Sequence, residues 1–116
     1  MIYAFDSTLT PVEKIEKMLK RAAKVFMYGE GGCVMGNTIL EMAHSDPPFL
    51  SIVKQFFEDF IEALTAVYKA KFTEIYAREL AEQAVQDIEG GVMLSQLYKN
   101  ERFMMNAFLR AKRNVE

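Results

Sequence analysis

The 116 residues, 51% hydrophobic and 26% charged, predict a single soluble domain over residues 1–116, and the formal net charge of -2 excludes binding to nucleic acid by overall electrostatic attraction. One Cys and one His cannot form an intrachain disulfide or supply the four ligands that a zinc site usually needs. We therefore expect a cytoplasmic protein with no metal and no cofactor. No apolar run reaches the roughly 18 residues of a membrane span, so we also expect no membrane contact.

Between four turn-forming segments the apolar residues recur at helical spacing, which predicts an all-α fold, a bundle of five helices. The first helix begins after Thr10, with Pro11 at its first position and Glu13 placed to bond back as in a capping box. Its apolar stripe ends at the glycine-rich segment 29–32.

The second helix is predicted from Cys33 to about His44 and is apolar on two sides, so we expect its neighbours to surround it. Asp46 and the two prolines after it close this helix and start the third. The third helix covers about 25 residues, and its apolar residues form one continuous stripe. They are Phe49, Ile52, Val53, Phe56, Phe60, Leu64 and Val67.

We place a turn at residues 69–72, although this segment contains neither Gly nor Pro, and a fourth helix from about Thr73 to Tyr98. The first half of this helix is apolar on one side only. After Gly90 and Gly91, the apolar residues also occupy the side that is acidic upstream. Asn100 is then expected to cap a fifth helix with a broad apolar arc.

These broad apolar faces predict a homodimer, because large exposed apolar patches are uncommon on monomers and no segment is left to cover them. The predicted interface is formed by the ends of the fourth and fifth helices. Its residues are Gly90, Gly91, Met93, Leu94, Leu97, Phe103, Met104 and Phe108. The alternative explanation of the two glycines, a crossing within the chain or a local kink, stays open.

A buried amide needs hydrogen-bonding partners, so Asn37 on the second helix either ties neighbouring backbone together or points into a ligand cavity. The eight Met residues favour an adaptable interior. The candidate ligand-binding residues are Met18, Phe26, Tyr28, Cys33, Asn37, Phe56 and Phe60, and the aromatic ones serve equally well as ordinary core.

No catalytic or metal-ligating residue is expected. Cys33 and His44 are eleven residues apart on one helix, a rise of about 16 Å, and cannot share a hydrogen bond within it. Glu41 and His44 have the Glu-x-x-His spacing of di-iron bundles, but those sites use two such motifs and the chain has one His.

Three segments resemble the C-terminal domain of TetR-family transcriptional regulators. The segment 32–38, Gly-Cys-Val-Met-Gly-Asn-Thr followed by Glu41, is similar to the family's "GC-hydrophobic-x-G-N" helix. Asp46-Pro47 starts a long Phe-rich helix, and the segment 89–94 looks like the "(E/Q)-G-(small)-hydrophobic-L" stretch of the family's penultimate helix. The resemblance covers residues 11–113.

This resemblance implies a helical core that binds a small apolar effector among its earlier helices and dimerises through its last two. It implies no enzymatic activity. The family's N-terminal helix-turn-helix has no counterpart in the sequence, so we expect either a piece of a longer protein or a regulator without that head, with DNA binding only through the missing domain. The alternative is a headless helical homodimer that acts as an adaptor or interaction module.

Overall fold

The computed structural model describes residues 2–26 and 47–116, which form a short 3-10 helix at Ile2–Phe5 and then four α-helices. These helices are α1 (Pro11–Phe26), α2 (Pro47–Tyr68), α3 (Glu74–Tyr98) and α4 (Arg102–Arg113). The all-α class is confirmed. Four of the five predicted helices lie in the described residues, and the one predicted from Cys33 to about His44 lies outside them.

The start of α1 follows the predicted capping box. The backbone N–H of Thr10 donates to Glu13 Oε1 at 3.1 Å, and the N–H of Glu13 donates to Thr10 Oγ1 at 3.2 Å. The hydrogen bond from the Thr10 backbone is the main reason why the pKa of Glu13 lies below its ordinary value. Behind this start, the apolar stripe of α1 is buried at Ile15, Leu19 and Ala22.

The turn predicted at residues 69–72 separates α2 from α3. Thr73 ends it, with an extended backbone and a hydroxyl that accepts a hydrogen bond from the N–H of Tyr76. This N-cap starts α3 although the turn has no Gly or Pro, because a threonine side chain can satisfy a free N–H of the first helical turn.

The start of α4 corrects one sequence-based expectation. Asn100 does not occupy the N-cap: Glu101 does, without a side-chain cap bond, while Asn100 Oδ1 accepts from the N–H of Arg102 at 3.0 Å. A further first-turn donor, the N–H of Met104, is bonded at 3.0 Å by the hydroxyl of Ser95, which is buried on α3. One acceptor for the first turn of α4 therefore comes from the preceding helix.

All four helices contribute to one core. The largest fully buried residues of this core come from each of them and are Ile15, Met18, Phe60, Leu64, Val67, Tyr68, Ile88, Val92 and Met104. Tyr68 is the only tyrosine in this set. Its hydroxyl donates to the backbone oxygen of Ala111 at 2.8 Å and joins α2 to the end of α4. Burial raises the pKa of Tyr68 to about 12, and a hydrogen bond with the Asn114 side chain opposes this rise.

Candidate dimer face and effector pocket

The predicted ligand-binding residues fall partly within the described structure. Met18 on α1 and Phe60 on α2 are 0% and 1% exposed and belong to the same core, and Phe56 is half-buried against it. Phe56 also packs edge-to-face on Phe57, with 5.2 Å between ring centroids. All three side chains therefore belong to, or pack against, the core that α1 and α2 share.

The remaining predicted ligand-binding residues are not characterised by this structure. Tyr28, Cys33 and Asn37 lie outside the described residues, and Phe26 is the last residue of α1, with its side chain outside the described part. Of the predicted ligand-binding residues, the structure describes the side chains of Met18, Phe56 and Phe60.

The outer face of α3 and α4 carries apolar side chains that no other described element covers. Met93 is 56% exposed and Leu97 is 72% exposed, both in the second half of α3. Leu94 and Phe103 are half-buried beside them. The Phe103 ring lies 5.3 Å from that of Tyr98, which is itself 63% exposed and extends the apolar face to the end of α3.

A groove of about 270 Å³ runs along this face between α3 and α4. Gly90 and Leu94 line it from α3, and Phe103 and Asn106 line it from α4. Arg110 closes one end: its Nε and one terminal nitrogen donate to the two carboxylate oxygens of Asp87 at 2.7 and 2.8 Å. This paired geometry raises the pKa of Arg110 and fixes α4 against α3 at the rim of the groove.

Three residues that the sequence predicted at the dimer interface instead make contacts within one chain. Met104 is 0% exposed and Phe108 is 6% exposed, so both belong to the core. Gly91 lies at the crossing of the two helices, where an added Cβ would come within 2.8 Å of the Phe103 carbonyl oxygen. The crossing within the chain, which the sequence left open, is therefore the explanation for Gly91.

Gly90 is different, because an added Cβ there would meet no atom of the described residues within 4 Å. Of the residues predicted at the dimer interface, the structure therefore places five on the outer face. They are Gly90, Met93, Leu94, Leu97 and Phe103.

Sequence reasoning missed two features of this region. It did not foresee that Arg110 of α4 pairs with Asp87 of α3. It also gave Ser95 no partner. Both contacts join residues on α3 to residues on α4, and the signal that could have found them is the position of Gly91, since Asp87 and Ser95 each lie one turn from that crossing.

Residues 11–108 match a family described as the transcriptional regulator LmrA/YxaF-like, C-terminal domain. The chain belongs to this family. The match confirms the resemblance to TetR regulators that the three sequence segments gave. No curated protein matches the chain.

The fold is also similar to that of a solved TetR-family structure, the crystal structure of a TetR transcriptional regulator from Legionella pneumophila. The TM-score is 0.84 at 25% sequence identity, and the match covers 98% of this chain. The chain spans 62% of the length of that protein.

Within residues 2–26 and 47–116, no helix is both long and apolar enough to cross a bilayer.

Proposed function

We propose that the chain is the effector-binding and dimerisation core of a TetR-like transcriptional repressor. Membership of the LmrA/YxaF-like family over residues 11–108 is the observation that carries this proposal. The regulator from Legionella pneumophila, which shares the fold, supports it. The partners are a second copy of the chain and a small apolar effector, and DNA is bound only through an N-terminal domain of the helix-turn-helix type.

The outer face of α3 and α4 supports dimerisation through one particular residue. A glycine inside a helix costs about 1 kcal/mol relative to alanine. Gly91 is compensated by the close approach of the Phe103 backbone, but nothing in the described residues approaches Gly90. A second copy whose helix crosses at Gly90 would supply the missing compensation.

The chemistry around Gly90 fits such a crossing. Leu97 and Met93 are more than half exposed and would be covered by the same faces of a partner, since a two-fold axis places one surface against its own copy. The Asp87–Arg110 pair lies at the rim with its charges already matched within the chain, so it adds no unpaired charge to the interface.

The effector pocket is proposed between the first helices, with Met18, Phe56 and Phe60 on its described wall and Asn37 as its polar group. The ligand undergoes no reaction and stabilises one of two arrangements of these helices. The difference between its affinities for the two arrangements sets the size of the response. No bond is made or broken, and the chain is not an enzyme.

Thermal unfolding in the presence of small aromatic compounds tests the pocket. A compound at about 100 times its Kd adds roughly 2.7 kcal/mol to the free energy of unfolding, which raises the melting temperature. Asn37→Leu should remove this rise while the free protein still folds. Gln55→Leu, at an exposed amide on α2, is the matched control and should keep the rise.

A compound series that leaves the melting temperature unchanged would contradict the pocket and favour the adaptor function, in which the dimer pairs with other helical proteins and needs no ligand. An Asn37→Leu protein that binds as well as the original would instead remove Asn37 from the pocket.

A further inference from the structure

Asp87 of α3 and Arg110 of α4 form an ion pair on the seam, the line along which the two helices meet on the outer face. The side chain of Asp87 stays 37% exposed and that of Arg110 52% exposed. Two grooves adjoin the pair: the one beside Gly90, and a second of about 320 Å³ that Gln83 and Asn114 also line. Because Asp87 and Arg110 line both grooves, the ion pair separates them.

The hydrogen bonds within the chain use only part of each charged group. The guanidinium of Arg110 has more N–H donors than the two that Asp87 accepts. Each carboxylate oxygen of Asp87 accepts one of these bonds and can accept a second. The ion pair can therefore bond to another pair of the same kind without losing its own contacts.

The two helices change character together along the seam. They are antiparallel, so a step towards the end of α3 matches a step towards the start of α4. Gln83 and Asn114 lie four residues from the ion pair on one side, and Leu94 and Phe103 lie seven residues from it on the other. Such steps return to one face of a helix, and these residues line the two grooves. Matching levels of α3 and α4 thus carry amides, then opposite charges, then apolar side chains.

A two-fold axis that runs along the seam would bring compatible groups together. It places α3 of one copy on α4 of the other, so each residue of α3 faces the matching level of α4 in the second copy. Asp87 then faces Arg110 of the second copy, and Leu94 faces Phe103 of the second copy. Opposite charges meet, and apolar side chains meet.

An axis that runs across the seam gives the opposite result. If α3 crossed α3 of the second copy at Gly90, Met93 would face Asp87 and Leu97 would face Gln83, because the members of each pair lie equally far from Gly90. Apolar side chains would then lie against charged and polar groups, whose burial without partners costs free energy. An axis across the seam at the ion pair itself would place each charge against its own kind.

We propose that the Asp87–Arg110 pair selects the dimer partner: it faces the same pair of a second copy, with each charge against its opposite. This inference rests on the proposed dimerisation and deepens it, because it names the residues that favour a second copy of this chain. A related chain with other residues at these two positions would leave the charges mismatched, and mismatched charges in an interface are costly.

An exchange of the two charges tests the proposal, because it keeps an ion pair within each chain. The double variant Asp87→Arg, Arg110→Asp should fold and form its own dimer, since every contact is present with the charges reversed. In a mixed dimer with the original chain, like charges would face each other at both places. Native mass spectrometry of an equilibrated equal mixture measures the share of each dimer, with the variant labelled by the heavy nitrogen isotope.

Random pairing makes mixed dimers about half of the total. A tenfold shift of the exchange equilibrium towards the two pure dimers lowers this share to about a quarter, and we expect a quarter or less. The matched control is Glu16→Lys with Lys112→Glu, which exchanges an ion pair of 2.9 Å between α1 and α4 and should leave the share at about half.

Single cysteine variants decide the arrangement even if the exchanged pair does not fold. The background is Cys33→Ser, which removes the one native cysteine. An Asp87→Cys chain mixed with an Arg110→Cys chain should cross-link through a short bis-maleimide. Each of these chains alone should cross-link to itself far less.

Three results would overturn the proposal while leaving the dimer intact. A mixed share of about half would mean that the ion pair makes no contact across the interface. A share above half would mean that like charges face each other in the original dimer. Cross-links within each cysteine variant, and none between the two, would exclude the same arrangement. If the original chain is a monomer in these spectra, the proposed dimerisation itself fails.

Discussion

Two neighbouring glycines on α3 have opposite surroundings. An added Cβ at Gly91 would lie 2.8 Å from the carbonyl oxygen of Phe103 and 3.1 Å from the Cα of Met104, so the chain itself requires a glycine there. An added Cβ at Gly90 would meet nothing within 4 Å in residues 2–26 and 47–116. One step along the helix separates the closed inner side of the α3–α4 contact from its open outer side.

The inner side is complete within one chain. Ser95 bonds the N–H of Met104, Tyr68 bonds the carbonyl of Ala111, and each of these two side chains is 0% exposed. The outer side has a groove, exposed apolar side chains and Gly90, which no other part of the described chain approaches. The difference indicates that the inner side serves folding, and we infer that the outer side serves association.

The largest expected effect is on the inner side, from Gly91→Ala. The new methyl group would collide with the backbone of α4, which cannot rotate away as a side chain can, so α4 must shift from α3. We expect a loss of about 2 kcal/mol in the free energy of unfolding, measured by urea denaturation. An unchanged or raised midpoint would show that the two helices are not in close contact.

Ser95→Ala should cost about 1.5 kcal/mol, because the buried N–H of Met104 would lose its acceptor. The same denaturation experiment measures it. Ser51→Ala, at an exposed position of α2, is the matched control and should change stability by less than about 0.5 kcal/mol. Equal effects of the two substitutions would mean that Ser95 does not support the start of α4.

Tyr68→Phe should cost about 1 kcal/mol at neutral pH, since the carbonyl of Ala111 loses its donor. The pKa of Tyr68 is raised from 10.0 to about 12 in the folded chain, so the stabilisation from its neutral hydroxyl is fully present below pH 10 and is lost as the pH rises towards 12. Unfolding curves across this range should fall more steeply for the original chain than for Tyr68→Phe. If the free energy of unfolding fell equally with pH in both proteins, the Tyr68 hydroxyl would not be buried in its protonated form.

The smallest expected effect on stability is that of Gly90→Ala. In a monomeric background such as Leu97→Glu, it should raise the free energy of unfolding by about 0.5 to 1 kcal/mol, because alanine is the better helix former and space is open. In the original chain it should also weaken dimerisation, which sedimentation at several concentrations measures. If Gly90→Ala stabilised the monomer but left the dimer affinity unchanged, Gly90 would not lie in the interface.

Sequence reasoning predicted most of the local structure, because caps and apolar spacing are local signals. The Thr10–Glu13 box, the turn before Thr73 and the buried stripe of α3 all follow from residues a few positions apart. Contacts between helices were harder to predict from the sequence. Nothing local to Met104 or Phe108 tells whether their apolar arc packs on this chain or on another copy, and the structure places both in the core.

The same limit explains the two glycines and the capping of α4. The pair 90–91 reads as one motif in the sequence, and only the position of α4 separates its members. Asn100 was the best local candidate for the N-cap, but the buried hydroxyl of Ser95, nine residues before Met104, bonds a first-turn donor. For the effector pocket, Met18 and Phe60 lie in one core, and the assignments of Cys33 and Asn37 stay predictions.

Sedimentation velocity of the chain at micromolar concentration tests the central claim, that the outer face of α3 and α4 joins two copies. The account predicts one species of twice 13.3 kDa, which Leu97→Glu converts to a monomer while Ile75→Glu, at the far end of α3, does not. A chain that sediments at 13.3 kDa over the whole concentration range, or a Leu97→Glu protein that stays dimeric, would contradict it.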